Sequence, residues 1–240
     1  MRILFFLILL TLPEMADAQN VNIDFGEEGA SATAQIIRLV ALVTILSLAP
    51  SILLMVTSFT RIIVVLSLLR SAIGIQQTPP NPVLISLALF LTAFIMGPVF
   101  EQSYEQGLKP LMDEQIDEMT ALKRGAKPFH EFMMKNVRPK DLELFVGMAG
   151  NPEITTPEET PYKILIPSFM VSELRRAFEI GFLIFIPFLI IDMMVASTLM
   201  SMGMMMLPPV LISLPFKIIF FVLIDGWNML SESLVKSFGV

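Results

Sequence analysis

The stretch 164-ILIPSFMVSELRRAFEIGFLIFIPFLIIDMMVASTLM-200 decides the fold of this chain. Its 37 residues are mostly apolar, and as a single α-helix they would be about 55 Å long. Because the hydrocarbon core of a bilayer is only about 30 Å thick, part of this helix must bend or project beyond the lipid. Pro167 and Pro187 are candidate bends, since proline removes a helical hydrogen bond. The stretch also carries charged residues: Glu173, Arg175, Arg176, Glu179 and Asp192.

A second apolar arm follows this stretch, and together the two predict a kinked helical hairpin over residues 162–240. If the chain reverses near Met204, Asp192 lies 12 residues before the turn and Lys217 lies 13 residues after it. Both would then lie about 18–20 Å from the tip. Opposite charges at one depth can form a structural ion pair, within the hairpin or between neighbouring copies. A proton or ion pathway is the alternative, although a relay normally needs more acids or histidines at the same depth.

Composition places the chain among membrane proteins and removes several kinds of site. Of 240 residues, 55% are hydrophobic and 16% are charged, an apolar content that a soluble domain of this size does not usually bury. The formal net charge of −6 argues against a nucleic-acid partner, because binding to polyphosphate needs a basic surface. With no Cys and a single His, thiolate and multi-histidine metal sites are excluded, and no cofactor is expected.

The motifs of the common enzyme classes are also missing. The sequence contains no phosphate-binding glycine loop, no Gly-x-Ser-x-Gly and no His-Glu-x-x-His. We therefore expect no catalytic residues, and we interpret His130 as an exposed helix residue.

The first 18 residues have the pattern of a cleavable signal peptide. Arg2 precedes the apolar run Ile3–Leu12, and the small-x-small sequence Ala-Asp-Ala follows at 16–18. Ten residues form about 15 Å of helix, which is too short for a first transmembrane helix. The mature chain is predicted to begin at Gln19, with a polar periplasmic leader over residues 19–35.

Residues 36–100 predict a first helical hairpin. Two uncharged runs, Leu39–Val56 and Val83–Phe100, are each long enough to span a bilayer. Pro50 predicts a kink in the first run. Between the runs, the proline-rich segment 76–82 must interrupt the helix, because consecutive prolines remove hydrogen-bond donors.

Two arginines set the predicted orientation in the membrane. Arg61 and Arg70 bracket a short apolar connector that holds no acidic residue. The positive-inside rule therefore places this connector in the cytoplasm. The N-terminus and residues 101–160 are then expected on the periplasmic side of a bacterial inner membrane.

Residues 101–161 predict a small periplasmic helical domain. Seven Lys or Arg and 12 Asp or Glu lie in 101–160, with apolar residues at helical spacing. We predict three short amphipathic helices, of which Gly125 ends the first and Gly150 ends the third. An acidic linker, 151–161, follows. The apolar positions are Leu111, Met112, Ile116, Met119 and Leu122; Phe129, Phe132, Met133 and Val137; and Leu142, Phe145, Val146 and Ala149.

Two features of the second hairpin have more than one interpretation. Methionines at the hairpin turn can be adaptable core filler, or they can form an apolar gasket that excludes water and yields to a passing chain. Glu173 and Arg176 can be a surface pair on one helix, or the charges of 173–179 can serve contacts between subunits. The methionines are Met200, Met202, Met204, Met205 and Met206.

Long motifs in this sequence resemble the FliP family of flagellar biosynthesis proteins, which includes the SctR proteins of virulence-associated type III secretion. The resemblance covers about residues 35–230. The stretches that carry it are TRIIVVL at 60–66, LRSAIGIQQTPPNP at 69–82, LALFLT at 87–92, SEL at 172–174, AF at 177–178, IGF at 180–182, PFLIID at 187–192, MSMGMMM at 200–206 and SLPFK at 213–217.

The resemblance implies an all-α membrane protein that assembles into a helical oligomer, a pentamer of this chain with the partners FliQ and FliR. Unfolded flagellar substrates would pass through this export gate, near FlhA, FlhB and the surrounding basal-body ring. It further implies that the Met-rich loop 200–206 is the gasket. The same resemblance implies assembly charges and middle-domain contacts: Glu173, Asp192, Lys217 and Arg138, with Phe132 and Phe145.

Two other functions compete with this one. A small polytopic ion channel or transporter would hold an ion or substrate site at mid-depth and act as a single species. An intramembrane enzyme would need a nucleophile and a base, and the sequence supplies neither in a recognisable motif.

Overall fold

The computed structural model describes residues 32–75, 77–150, 159–203 and 208–239. The predicted signal peptide, most of the leader and most of the acidic linker lie outside these residues. Every regular element within the described ranges is helical, which confirms the all-α prediction. The chain divides into two compact units, Met1–Ser47 and Leu48–Val240.

Three helices account for the first part of the described chain: α1 (Ala32–Met55), α2 (Phe59–Ile73) and α3 (Asn81–Ser103). Pro50 lies inside α1. α2 ends at Gly74, which has a φ of +92° and donates its N–H to the carbonyls of Arg70 and Ser71. Glycine adopts this left-handed conformation without steric cost, so the chain can leave the helix there.

Arg61 and Arg70 both belong to helix α2 and do not form a connector. Arg61 is completely buried, and Arg70 donates hydrogen bonds to the carbonyl of Pro79 and to Oδ1 of Asn81. The prediction that Arg61 and Arg70 bracket a connector is therefore wrong, because the segment between them is helical and Arg61 is neutralised inside the protein.

α3 continues through a π-helical segment, Tyr104–Leu108, into α4 (Lys109–Met112). α5 (Glu118–Asn136) begins at the cap residue Asp117, whose carboxylate accepts hydrogen bonds from the side chain and the backbone N–H of Thr120. These bonds stabilise the charged form and lower the pKa of Asp117. α6 (Pro139–Met148) follows and ends near Gly150, which has a φ of +83°.

The middle region differs from the prediction at Gly125, which lies inside α5 and does not end a helix. Gly125 is instead a crossing point between helices, since a Cβ atom on Gly107 would lie 2.8 Å from the Gly125 Cα atom. Ser103 Oγ also donates to the carbonyl of Gly125, at 2.7 Å. The glycine at 107 permits this close backbone contact. Residues 118–136 form one helix where two were predicted.

The last 80 residues form α7 (Tyr162–Ser201), α8 (Pro209–Leu223) and α9 (Gly226–Lys236). α7 is a single helix of 40 residues that contains both Pro167 and Pro187. α8 and α9 meet at an angle of 63°, and Asp225 between them adopts a left-handed conformation with a φ of 52°.

The main core packs α2 against α7, with contributions from α3, α8 and α9. Gly181 of α7 lies directly against Leu68 of α2, so no larger residue fits there without displacing Leu68. A second, smaller cluster joins α5 to the first turns of α7. The buried residues of the main core include Ile62, Val65, Leu66, Leu69, Ala88, Ile95, Ala177, Phe188, Phe221 and Leu234, and those of the second include Met133, Val137, Leu165 and Phe169.

Two of the described helices, Asn81–Met112 and Tyr162–Ser201, are long and apolar enough to cross a membrane. α8 and α9 together would add a third span if the bent pair crosses as one unit. The chain thus has the helices of a polytopic membrane protein.

Candidate functional site

The centre of the α2–α7 contact contains a buried ion pair between Arg61 and Glu173. Arg61 Nε lies 2.8 Å from Glu173 Oε2, and Arg61 Nη2 lies 2.5 Å from Glu173 Oε1. Both side chains are fully removed from solvent. This two-pronged geometry uses the planar fork of arginine and neutralises both charges where water cannot reach them.

The same guanidinium also holds the segment that follows α9. Arg61 Nη1 donates to the carbonyl and to Oγ of Ser237, at 3.0 and 2.8 Å. Its Cζ atom lies 3.6 Å from the centroid of the Phe238 ring, which is a cation–π contact. The Phe238 ring is in turn stacked on Phe132 of α5, with 5.9 Å between the centroids. Arg61 therefore connects α2, α7 and the end of α9, and Phe238 extends this contact to α5.

Of the two interpretations of Glu173 and Arg176, the surface pair on one helix is not formed, because the Glu173 carboxylate faces α2 and binds Arg61. Arg175 pairs instead with Glu179 one turn later, at 2.9 Å, and both of these side chains are more than half exposed. α7 thus carries one buried charge on the side that faces α2 and an ion pair on its open surface.

A second ion pair joins α7 to α8 and confirms the predicted proximity of Asp192 and Lys217. Lys217 Nζ lies 2.6 Å from Asp192 Oδ2 and 3.3 Å from the carbonyl of Ala72 in the last turn of α2. Ser213 Oγ donates to the other carboxylate oxygen of Asp192, at 2.5 Å. The side chain of Lys217 is 4% exposed and that of Asp192 is 34% exposed, so the burial of this pair is unequal.

A third polar group connects α6 to α7. Ser172 Oγ donates to Asp141 Oδ2 at 2.7 Å and accepts the backbone N–H of Arg138 at 3.1 Å. The Arg138 guanidinium lies 3.9 Å from the Asp141 carboxylate, so this is an ion pair without a hydrogen bond. Phe145 is half-buried on the same helix, α6.

The methionine cluster is described only in part. Met200 and Met202 are exposed at the end of α7, next to an open groove lined by Met193, Met194, Ser197, Thr198 and Ser201. Met204, Met205 and Met206 lie outside the described residues.

His130 is buried, contrary to the prediction of an exposed residue. Its Nε2 atom lies 2.8 Å from the carbonyl of Thr160, and its ring meets Tyr162 edge-on. His130 thus fixes the start of α7 to α5. Among the residues that the structure describes, no three His, Asp or Glu side chains are grouped in a way that could hold a metal ion.

Sequence reasoning identified Asp192 as the partner of the buried Lys217, but it did not identify the partners of Arg61 and Glu173. Arg61 was assigned to a connector, and Ser237, Phe238 and Asp141 were given no role. One signal was available for Arg61, which stands as an isolated charge beside the mostly apolar run 62–69, and an isolated charge in such a setting requires a partner.

Long apolar helices, charges neutralised between helices and a polar helical insertion define a polytopic α-helical membrane protein. Comparison with known proteins identifies its family: the model of the FliP family matches residues 42–234, and the chain belongs to this family.

The relatives are similar over nearly the whole chain. The flagellar biosynthetic protein FliP of Caulobacter vibrioides is 59% identical over 228 residues, which is 95% of this chain and 85% of that protein. The flagellar biosynthetic protein FliP of Agrobacterium fabrum is 51% identical over 235 residues, 96% of both chains. That of Rhizobium meliloti is 47% identical over 238 residues, 98% of this chain and 97% of its own.

Proposed function

We propose that this chain is a core subunit of the flagellar type III protein-export gate. With further copies of itself, and with FliQ and FliR, it would form the channel through which unfolded flagellar proteins cross the inner membrane. FlhA, FlhB and the basal-body ring would be its neighbours. The observation that carries this proposal is membership of the FliP family across residues 42–234.

The distribution of charge and apolar surface supports an assembled state. α7 exposes Phe178, Phe182 and Leu183 beside the exposed pair Arg175–Glu179. Lipid tails do not tolerate a charged pair at this exposure, whereas a protein neighbour can cover the aromatic residues and bind the charges. These features favour neighbouring subunits along this part of α7.

The chemistry of methionine supports the gasket role that the family resemblance implies for the Met-rich loop 200–206. Its unbranched thioether side chain adapts to irregular surfaces, and a narrow apolar constriction excludes water and ions. Met200 and Met202 are exposed and free to line such a constriction.

Affinity purification of the full-length, tagged chain from mild detergent tests the proposal. We expect a large complex that contains several copies of the chain together with FliQ and FliR, and no transport activity from the chain alone. Recovery of a lone monomer or homodimer that transports an ion or a small solute would instead favour the channel or transporter. An unrelated polytopic membrane protein with the same tag controls for nonspecific association.

A further inference from the structure

The C-terminal end of α7 carries an open groove beside a group of exposed methionines. Four methionines within ten residues are each between 59% and 67% exposed: Met193, Met194, Met200 and Met202. The first two of them line the groove together with hydroxyl residues: Met193, Met194, Ser197, Thr198 and Ser201. A thioether sulfur that solvent reaches can react with small oxidants, and its product is polar. The chemistry of this surface can therefore be changed after synthesis.

Ser197 is the hydroxyl residue of the groove that remains available to a new acceptor. The hydroxyl of Thr198 donates to the carbonyl of Met194 at 2.7 Å, and that of Ser201 donates to the carbonyl of Thr198 at 2.8 Å. The hydroxyl of Ser197 makes no hydrogen bond to any residue that the structure describes. It can therefore donate to an oxygen atom that is added to a neighbouring side chain.

The position of Ser197 makes it a helical neighbour of the groove methionines. It follows Met193 by four positions and Met194 by three, and residues at these spacings lie next to each other on a helix. Because each Cα–Cβ bond of a helix is tilted toward the N-terminus, the side chain of Ser197 leans toward the turn that carries these two methionines. One hydroxyl group thus serves two exposed thioethers.

We propose that this groove is a site of reversible methionine oxidation, and that Ser197 favours the reaction at Met193 and Met194. The co-substrate is a two-electron oxidant of the hydrogen peroxide class. The sulfur lone pair attacks one peroxide oxygen, so that an S–O bond forms and the O–O bond breaks. The proton of the transferred oxygen passes to the departing hydroxide, which leaves as water. The sulfur loses two electrons and becomes a sulfoxide, and the peroxide is reduced.

Ser197 contributes a hydrogen bond to the oxygen atoms that change in this reaction. Negative charge develops on the peroxide oxygens as the O–O bond breaks, and a hydroxyl donor stabilises it. The same donor then binds the sulfoxide oxygen of the product. Methionine sulfoxide reductases reverse the change: a dithiol is oxidised to a disulfide, and the oxygen leaves as water.

Oxidation would change the surface next to the Met-rich loop 200–206. A thioether is apolar and a sulfoxide is polar, and a constriction that excludes water must be apolar. Sulfoxides in the groove would therefore loosen the seal, and their reduction would restore it. This consequence rests on the proposed function and adds a means of regulating it.

Peptide mass spectrometry tests the site on the full-length chain, purified in mild detergent and treated with hydrogen peroxide for increasing times. We expect Met193 and Met194 to gain an oxygen atom about threefold faster than Met148, as one hydrogen bond allows. Met148 is 71% exposed but has no hydroxyl residue three or four positions away. Met96 and Met133, which are fully buried, should remain unmodified. Equal rates at the groove methionines and at Met148 would overturn the proposal.

Ser197→Ala tests the role of the hydroxyl group, since alanine keeps the helix and removes the donor. The oxidation rates of Met193 and Met194 should fall to that of Met148. Ser201→Ala is the matched control, because the hydroxyl of Ser201 is already bonded to a backbone carbonyl, and it should leave both rates unchanged. Rates that do not fall in the Ser197→Ala chain contradict the assignment.

Leakage measurements test the regulation of the gate. A brief dose of hydrogen peroxide should raise the permeability of cells to small solutes, and the rise should be smaller in cells with the Ser197→Ala chain. An equal rise in both would refute regulation through this groove. Purification without FliQ and FliR would refute the proposed function but not the oxidation site, because mass spectrometry measures the oxidation on this chain alone.

Discussion

Arg61 and Glu173 show how a membrane protein accommodates full charges in an apolar core. All three guanidinium nitrogens of Arg61 donate hydrogen bonds, to Glu173 and to Ser237, and the ring of Phe238 covers its face. A buried ion pair adds little net stability over an apolar pair, but loss of one partner leaves a charge without compensation. The pair therefore fixes which surfaces of α2 and α7 meet.

Removing one member of this pair should be costly. Arg61→Met leaves the Glu173 carboxylate buried and unpaired, and we expect a loss of about 3–5 kcal/mol in the free energy of unfolding. The double variant Arg61→Met, Glu173→Leu should recover a large part of this loss. Thermal unfolding in detergent measures the effect.

Arg175→Met provides the control, because it breaks an exposed Arg–Glu ion pair on α7, the helix that carries Glu173. Its effect should be no more than about 1 kcal/mol. Equal destabilisation by the two arginine changes would show that the burial of Arg61 does not increase the loss in the free energy of unfolding.

Because Lys217 is more deeply buried than Asp192, we expect the two single substitutions to differ in the size of their effects. Asp192→Ala leaves a buried ammonium group with only the Ala72 carbonyl, whereas Lys217→Met leaves a partly exposed carboxylate that still accepts from Ser213. We expect both changes to lower the yield of the assembled complex, and Asp192→Ala to lower it more. Size-exclusion profiles of the two variants measure this. Normal yield from both would contradict an assembly role for the pair.

At the scale of the elements, two glycines that face each other have different surroundings. A Cβ atom on Gly107 would meet backbone atoms of Ala121 and Gly125 at 2.8–2.9 Å, but a Cβ atom on Gly125 would find its nearest neighbour, Ser103 Oγ, at 3.5 Å. The difference arises because Gly107 points into the crossing, whereas Gly125 lies beside it.

These surroundings predict opposite effects for one chemical change. Gly107→Ala should separate α5 from the π-helical segment and cost about 1–3 kcal/mol, as overpacking usually does. Gly125→Ala should be neutral or stabilise by up to about 1 kcal/mol, because alanine favours the helix. Unfolding temperatures of the two variants check the prediction, and a similar loss in both would argue against the asymmetric crossing.

The loop that follows α7 is the element whose proposed role is most directly testable. Replacing Met204, Met205 and Met206 together by Ala removes the flexible thioethers, so the proposed gasket should seal less well. We expect increased leakage of ions or small solutes in cells that assemble the variant gate. The single change Met148→Ala, on the exposed surface of α6, is the control, and unchanged permeability of the triple variant would count against the gasket.

For the whole molecule, the orientation in the membrane is predicted from the basic residues of the sequence and from the helix that can span the bilayer. Arg61 cannot serve as a marker of the cytoplasmic side, since it is buried, and Arg70 is the remaining basic residue of α2. The helix Asn81–Met112 lies between the α2–α3 turn and α5 and can cross a bilayer. The two ends of this helix should therefore lie on opposite sides.

Labelling of single cysteines tests this orientation. Glu118→Cys should react with a membrane-impermeant maleimide from the periplasmic side, and Gln77→Cys should react only after the membrane is opened. Both positions are exposed in the structure. A lack of labelling would therefore mean that the membrane, and not burial in the protein, keeps the reagent away. Labelling of both from one side would contradict a span over 81–112.

The sequence by itself determined the all-helical class, the interruption between α2 and α3, and the common depth of Asp192 and Lys217. Each of these follows from local information: apolar runs, prolines and the rise of a helix per residue. The long motifs also sufficed to predict the family, and the match over residues 42–234 confirms it.

Only the tertiary structure decided the partner of Glu173, the burial of Arg61 and His130, and the role of Gly125. Arg61 and Glu173 are 112 positions apart in the chain, and helical periodicity states which residues share a face but not which two faces meet. The packing of α2 on α7 selects this pair over the nearer Arg176. A glycine that ends a helix and one that lies inside a helix beside a crossing look the same in sequence, because the difference lies in the neighbour that packs against it.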